Sequence, residues 1–168
     1  MKFLNLFLFI VLAVLFVMEG KRILTNYKSC KAAMEDVMTT KKDIKVVKDY
    51  KKTVIIYAII VVLIVIAGVY NIVIKDYFTA LMILGLAFFW GNLIVESIYT
   101  KTYVFFESGF LYTDKQYKYR SVLKIEDEKQ FARGYKVNVI GGDDVYVTKN
   151  VRPILEQKLK EYKNRKKK

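Results

Sequence analysis

The chain has no histidine, one cysteine (Cys30) and one proline (Pro153) in 168 residues. Without histidine, the commonest general base, the commonest metal ligand and the usual switch near neutral pH are missing. A single cysteine excludes an intramolecular disulfide and any multi-cysteine metal site. Acidic charge is scarce as well. Sixteen Asp and Glu face 29 Lys and Arg, for a formal net charge of +13 and a pI near 9.6. Such a balance favours anionic partners, and long apolar runs make the negatively charged cytoplasmic leaflet a better match than nucleic acid.

Those apolar runs organise the chain. Residues 53–74 and 77–97, separated by Lys75-Asp76, are each long enough to cross a hydrocarbon core of ~30 Å as a helix. So short a gap predicts a transmembrane hairpin over residues 53–99. Residues 1–18 carry a third apolar run. A signal peptide is the alternative there, but Glu19-Gly20-Lys21-Arg22 follows it without a small-residue cleavage pattern, and we read it as a retained helix. Ten Lys and Arg lie in residues 19–52 and seventeen after Tyr99, whereas the other side keeps Lys2 and Lys75. The positive-inside bias then predicts a multi-pass protein of the cell membrane, with its N-terminus outside and its C-terminal region cytoplasmic.

The basic connection, residues 19–52, lacks proline and reads as mostly helical. Ile23, Tyr27, Met34, Val37 and Met38 recur at helical spacing, as do Ile44, Val47 and Tyr50. Thr40 followed by Asp43 resembles a capping box between two helical pieces. This segment has two readings, an amphipathic helix on anionic lipid or a helix packed on the soluble domain or a second copy. Within the apolar runs, Asn71 and Asn92 suggest hydrogen bonds between helices, and Gly68, Gly85 and Gly91 suggest close approach. No ionisable residue falls near mid-membrane, which argues against a transport pathway through this chain alone.

After Tyr99 the pattern changes to short alternating runs. Residues 102–106, 110–113, 116–120, 122–126, 135–140 and 145–148 read as strands, with Leu123 and Ile125 on one face of the fourth. Residues 100–168 are therefore expected to form an antiparallel β sheet or open barrel. A helix capped by Asn150, with Pro153 in its first turn and an apolar stripe of Val151, Leu155, Leu159 and Tyr162, would close it.

A strand followed by Glu107-Ser108-Gly109-Phe110-Leu111-Tyr112, and then Tyr117-Lys118-Tyr119-Arg120-Ser121-Val122-Leu123-Lys124-Ile125, resembles bacterial pleckstrin-homology-like (PH-like) domains. The resemblance covers about residues 101–163 and implies an open barrel closed by a helix, placed after two transmembrane helices. It implies no particular ligand, since fold does not fix function.

Signals of chemistry are few. Gly141-Gly142-Asp143-Asp144 reads as a hairpin turn rather than a phosphate or metal loop, and Glu126-Asp127-Glu128 as a solvated loop rather than a catalytic pair. Contacts to anionic lipid or an acidic partner are expected from Lys118, Arg120 and Lys124 on the barrel and from Arg165, Lys166, Lys167 and Lys168 in the tail. No catalytic, metal or cofactor site is expected. The sequence thus predicts three transmembrane helices carrying a C-terminal antiparallel β domain capped by an α-helix. Its expected role is that of a non-catalytic adaptor or sensor that engages anionic lipid of the inner leaflet, a protein partner or a second copy of itself, and not nucleic acid. Two rival roles remain open: an accessory subunit of a transporter or channel, and self-protection against a membrane-active toxin.

Overall fold

The computed structural model describes residues 2–130 and 134–165. In chain order these form α1 (Lys2–Thr40), β1 (Lys45–Lys48), α2 (Lys51–Val73), α3 (Tyr77–Thr100), β2 (Thr102–Phe106), β3 (Gly109–Tyr112), β4 (Lys115–Lys118), a 3-10 turn (Tyr119–Ser121), β5 (Val122–Gln130), β6 (Gly134–Val139), β7 (Asp144–Val147) and α4 (Arg152–Arg165). Two compact units result, Met1–Lys28 with Lys51–Ile98, and Ser29–Tyr50 with Tyr99–Lys168.

In the first unit α2 and α3 are apolar on every face. Gly68 is buried in α2, and Ala80 and Ser97 in α3, while Ile55, Ile59, Val62 and Ile66 of α2 and Phe78, Leu81 and Leu86 of α3 stand exposed. A helix that is hydrophobic all round belongs in a protein core or a bilayer, and side chains this exposed are not in a core. Both helices are long and apolar enough to cross a membrane. The turn between them is well built. Asp76 N–H donates to Asn71 O at 2.9 Å and Lys75 N–H to Ile72 O at 3.0 Å, with Lys75 left-handed at φ 63°. That pair of bonds is a Schellman ending for α2. Asp76 then caps α3 by accepting from the Thr79 N–H at 3.2 Å.

Glycines permit close packing here, as the sequence suggests for two of three positions. A Cβ at Gly68 would lie 2.9 Å from Leu84, and one at Gly85 2.9 Å from Phe16, whereas Gly91 faces open space. Phe16 and Phe88 meet edge to face at 5.8 Å, and Tyr57 and Trp90 at 5.3 Å. Asn71 departs from expectation. Its amide donates to Ala67 O at 2.8 Å, within its own helix rather than between helices.

In the second unit two antiparallel sheets, ordered β1-β2-β3-β4 and β5-β6-β7, enclose an aromatic and aliphatic core. Tyr103, Phe105, Phe110, Tyr117 and Tyr119 come from the first sheet and its 3-10 turn, and Val137, Val139, Val145 and Val147 from the second. α4 closes this core with Leu155, backed by Leu159 and Tyr162, and Val151 in the turn just before the helix completes the stripe expected from the sequence. Asn150 is not its cap; its amide donates instead to Asp49 at 2.9 Å.

The opposite face of the first sheet is covered too. Val104, Phe106 and Leu111 pack with Val37, Ala33 and Met34 from the end of α1 and with Ile44 and Val46. Of the two readings of the connection, packing on the β domain is the one observed for this part of it. The expected second helical piece is absent. Ile44, Val47 and Tyr50 do not share a helix, because Lys45–Lys48 pairs antiparallel with β2 as Lys45↔Phe105 through Lys48↔Thr102. Four residues are too few for their spacing to separate helix from strand, and the paired edge of β2 decided it. Nor does Thr40 open a new helix. Its hydroxyl donates back to Asp36 O at 2.7 Å, ending α1.

β5 also departs from simple alternation. Val122 pairs with Val139 and Lys124 with Asn138, so two steps on β5 oppose one on β6. This bulge turns Leu123 outward, 68% exposed, and leaves Val122 and Ile125 packed on the core. Simple alternation would have put Leu123 and Ile125 together.

Candidate partner-binding cleft beside strand β4

β4 is the outer strand of its sheet. Its pairing with β3 closes through a two-residue loop, Thr113-Asp114, with Tyr112 opposite Lys115. Leu111 and Gln116 share one face, and Phe110 and Tyr117 the other, which points into the core. Thr113 takes the left-handed conformation that the tight loop requires, at φ 55°. Gly109 is needed for the close approach of β4, since a Cβ there would fall 2.1 Å from Tyr117 O.

Where the chain leaves β4 for the second sheet, a cleft of about 530 Å³ opens, lined by Gln116, Tyr117, Lys118, Arg120, Ser121, Ile140 and Asp143. The β6–β7 turn forms its far wall. Gly141 and Gly142 adopt φ values of 113° and 76°, which L side chains rarely allow, and Ile140 is held by its N–H donating to Ser121 O at 2.8 Å. Asp143 from this turn accepts from Lys115 Nζ at 2.8 Å and from the Tyr117 hydroxyl at 3.2 Å. The lysine bond holds the Asp143 carboxyl below its usual range, and burial followed by the Asp143 charge pushes the Tyr117 phenol up. Asp143 is thereby committed to Lys115 and Tyr117. Lys118 and Arg120 keep their charge exposed on the cleft, with no ion pair to a described residue.

The other basic residues expected from the sequence lie elsewhere. Lys124 is exposed on β5 opposite Asn138 and does not line the cleft. Arg165 pairs with Glu107 at 3.1 Å, beside a second cavity of about 260 Å³ that also borders Asp43, Phe106, Tyr119, Lys158, Glu161 and Tyr162. Its cations are matched by acids, since Lys158 sits 3.3 Å from Glu161. Lys166, Lys167 and Lys168 lie outside the described residues. The acidic run is not the expected loop but part of β5; Glu126 accepts from Asn138 at 2.7 Å, and the side chains of Asp127 and Glu128 are not described. Among the described residues no group of three or more metal-ligating side chains occurs.

Sequence reasoning found Lys118 and Arg120 but missed Ile140, 63% exposed on the cleft wall. Its place in the alternation of β6 predicts an ordinary strand residue, and only the course of the turn carries it outward. Comparison with protein-family profiles, with curated proteins and with solved structures finds no match to this chain.

Proposed function

We propose that this protein is a membrane-anchored, non-catalytic binding module that presents a PH-like β domain at the cytoplasmic leaflet. The observation that carries the reading is the insertion of α2 and α3 between β1 and β2, which are hydrogen-bonded neighbours. An apolar hairpin inserted in sequence between two paired strands joins the anchor to the β domain through two short chain connections. The strand order, four then three strands followed by a closing helix, supports the PH-like reading. The excess of basic residues after Tyr99 supports a cytoplasmic orientation. The apolar start of α1 is taken as a third crossing, with the N-terminus outside. Uncommitted cations at a cleft on a rigid β scaffold suit recognition rather than chemistry.

Two measurements in cells test this. A reporter fused after Lys168 should be active in the cytoplasm only; activity on the outer side overturns the orientation. Photo-crosslinking residues placed one at a time at the exposed positions Gln116, Lys149 and Lys160 should yield a discrete adduct from one surface and not all three. An absence of adducts from every position would overturn the binding role.

A further inference from the structure

The ladder between β3 and β4 fixes which backbone groups of β4 face outward. A two-residue loop makes Tyr112 and Lys115 a hydrogen-bonded pair, and the alternation of an antiparallel ladder makes Phe110 and Tyr117 the next. The N–H and C=O groups of Gln116 and Lys118 therefore point away from β3, toward the cleft that both residues line. The Lys118 carbonyl is taken by the Ser121 hydroxyl at 2.7 Å. The Gln116 N–H and C=O and the Lys118 N–H form no backbone bond to another described element. Beside these groups stand the cations Lys118 and Arg120 and the exposed side chain of Ile140.

We propose that the free edge of β4 accepts an extended acidic segment of a partner protein as an added strand. Carboxylates of that segment pair with Lys118 and Arg120, and an apolar side chain rests on Ile140. This rests on the binding-module reading and names its partner class. A row of spaced peptide groups is complementary to another backbone, which a lipid headgroup does not supply. Lysines on an edge strand also discourage pairing with a second copy of the same strand, because like charges would be brought together, while an acidic strand relieves that conflict.

The test uses the full chain in nanodiscs of neutral lipid and a fluorescent decapeptide of alternating glutamate and valine. Saturable binding is expected, weakened about tenfold or more by combining Lys118→Glu with Arg120→Glu, both being exposed positions. The same peptide methylated on alternate amide nitrogens, in the register that faces β4, should not bind, and a lysine–valine peptide should not bind either. Equal binding of the methylated peptide, or indifference to the charge reversals, overturns strand addition at β4 while leaving the module's binding role intact. Failure of the acidic peptide together with capture of anionic vesicles by the nanodisc-held protein overturns it in favour of a lipid ligand. Loss of every adduct in the crosslinking experiment above overturns the broader reading instead.

Discussion

The backbone N–H of Asp49 donates to the carbonyl of Lys101 at 3.0 Å, joining the two chain ends from which the apolar hairpin departs. The Asp49 side chain secures the same place, accepting from the Thr148 hydroxyl and from the Asn150 amide. One residue thus ties β1, β2 and the β7–α4 turn together. Asp49→Ala should lower the stability of the β domain by about 2–3 kcal/mol, because two hydrogen bonds to a charged acceptor are lost. Asp49→Asn should cost less, since it keeps an acceptor oxygen. Chemical denaturation of the detergent-solubilised chain, followed by tryptic resistance of residues 102–165, would measure both.

The discontinuity of this domain has a consequence for dissection. Residues 100–168 expressed alone lack β1 and the end of α1, and so expose Val104, Phe106 and Leu111, which are buried in the whole chain. Uncovering three such side chains costs on the order of 5–8 kcal/mol, comparable to the whole stability of a small domain. That fragment should aggregate or unfold without cooperativity. Residues 29–50 joined to 99–168 through a short turn should instead give a soluble protein with a single unfolding transition. A cooperative transition from the 100–168 fragment would show that the α1–β1 cover is dispensable.

Cys30 should be inert at neutral pH. It is 9% exposed, and burial, followed by the nearby Asp114 charge, pushes its thiol from 9.0 up to about 11. Alkylation at pH 8 should be at least ~100-fold slower than for an exposed cysteine and become fast on unfolding. The same shift links stability to pH. The folded state keeps the proton that the unfolded state releases near pH 9, so the contribution is complete below that value and lost as pH rises toward 11. Burial raises the phenols of Tyr103 and Tyr119 in the same direction. Cys30→Ala should flatten the pH 9–11 part of the stability curve without removing the tyrosine part. An unchanged slope would contradict the assignment.

Tyr103 and Tyr119 are both buried, yet their hydroxyls differ. That of Tyr103 donates to Tyr146 O at 3.1 Å, whereas that of Tyr119 has no hydrogen-bond partner among the described residues. Tyr103→Phe should destabilise by about 1 kcal/mol. Tyr119→Phe should be neutral or stabilising by about 1 kcal/mol, since it deletes a polar atom that is buried without compensation. Opposite signs in thermal unfolding would bear this out, and a loss of stability for Tyr119→Phe would reveal a partner for its hydroxyl.

Thr113 is a β-branched residue at φ 55°, a region that side chains of this kind rarely enter. Thr113→Asn should raise stability by about 0.5–1 kcal/mol, because asparagine tolerates the left-handed conformation. The same exchange at Thr102, within the β2 ladder, should lower stability, so the pair separates a turn effect from a general one.

Much of the architecture follows from local chemistry. The lengths of α2 and α3 follow from unbroken apolar runs, and the place of their turn from Lys75-Asp76. The hairpin Phe110–Tyr117 and the stripe Val151–Leu155–Leu159 follow from periods of two and of about three and a half, which depend only on neighbours along the chain. Lys118 and Arg120 are legible for the same reason, as cations alternating with Tyr117 and Tyr119 along the chain.

What the sequence could not hold is the outcome of competition between distant segments. Residues 45–48 became β1 because the edge of β2 offers hydrogen bonds and Val104, Phe106 and Leu111 need cover, and both lie beyond the intervening apolar hairpin. Leu123 and Ile140 face outward because a bulge and a glycine turn reset the alternation, and a one-residue shift exchanges the two faces of a strand. The meeting of Ile140 with Lys118, Arg120 and the free edge of β4 was therefore decided by tertiary structure alone. Local periodicity sets which elements form, and burial of surface between remote elements sets which of their residues meet.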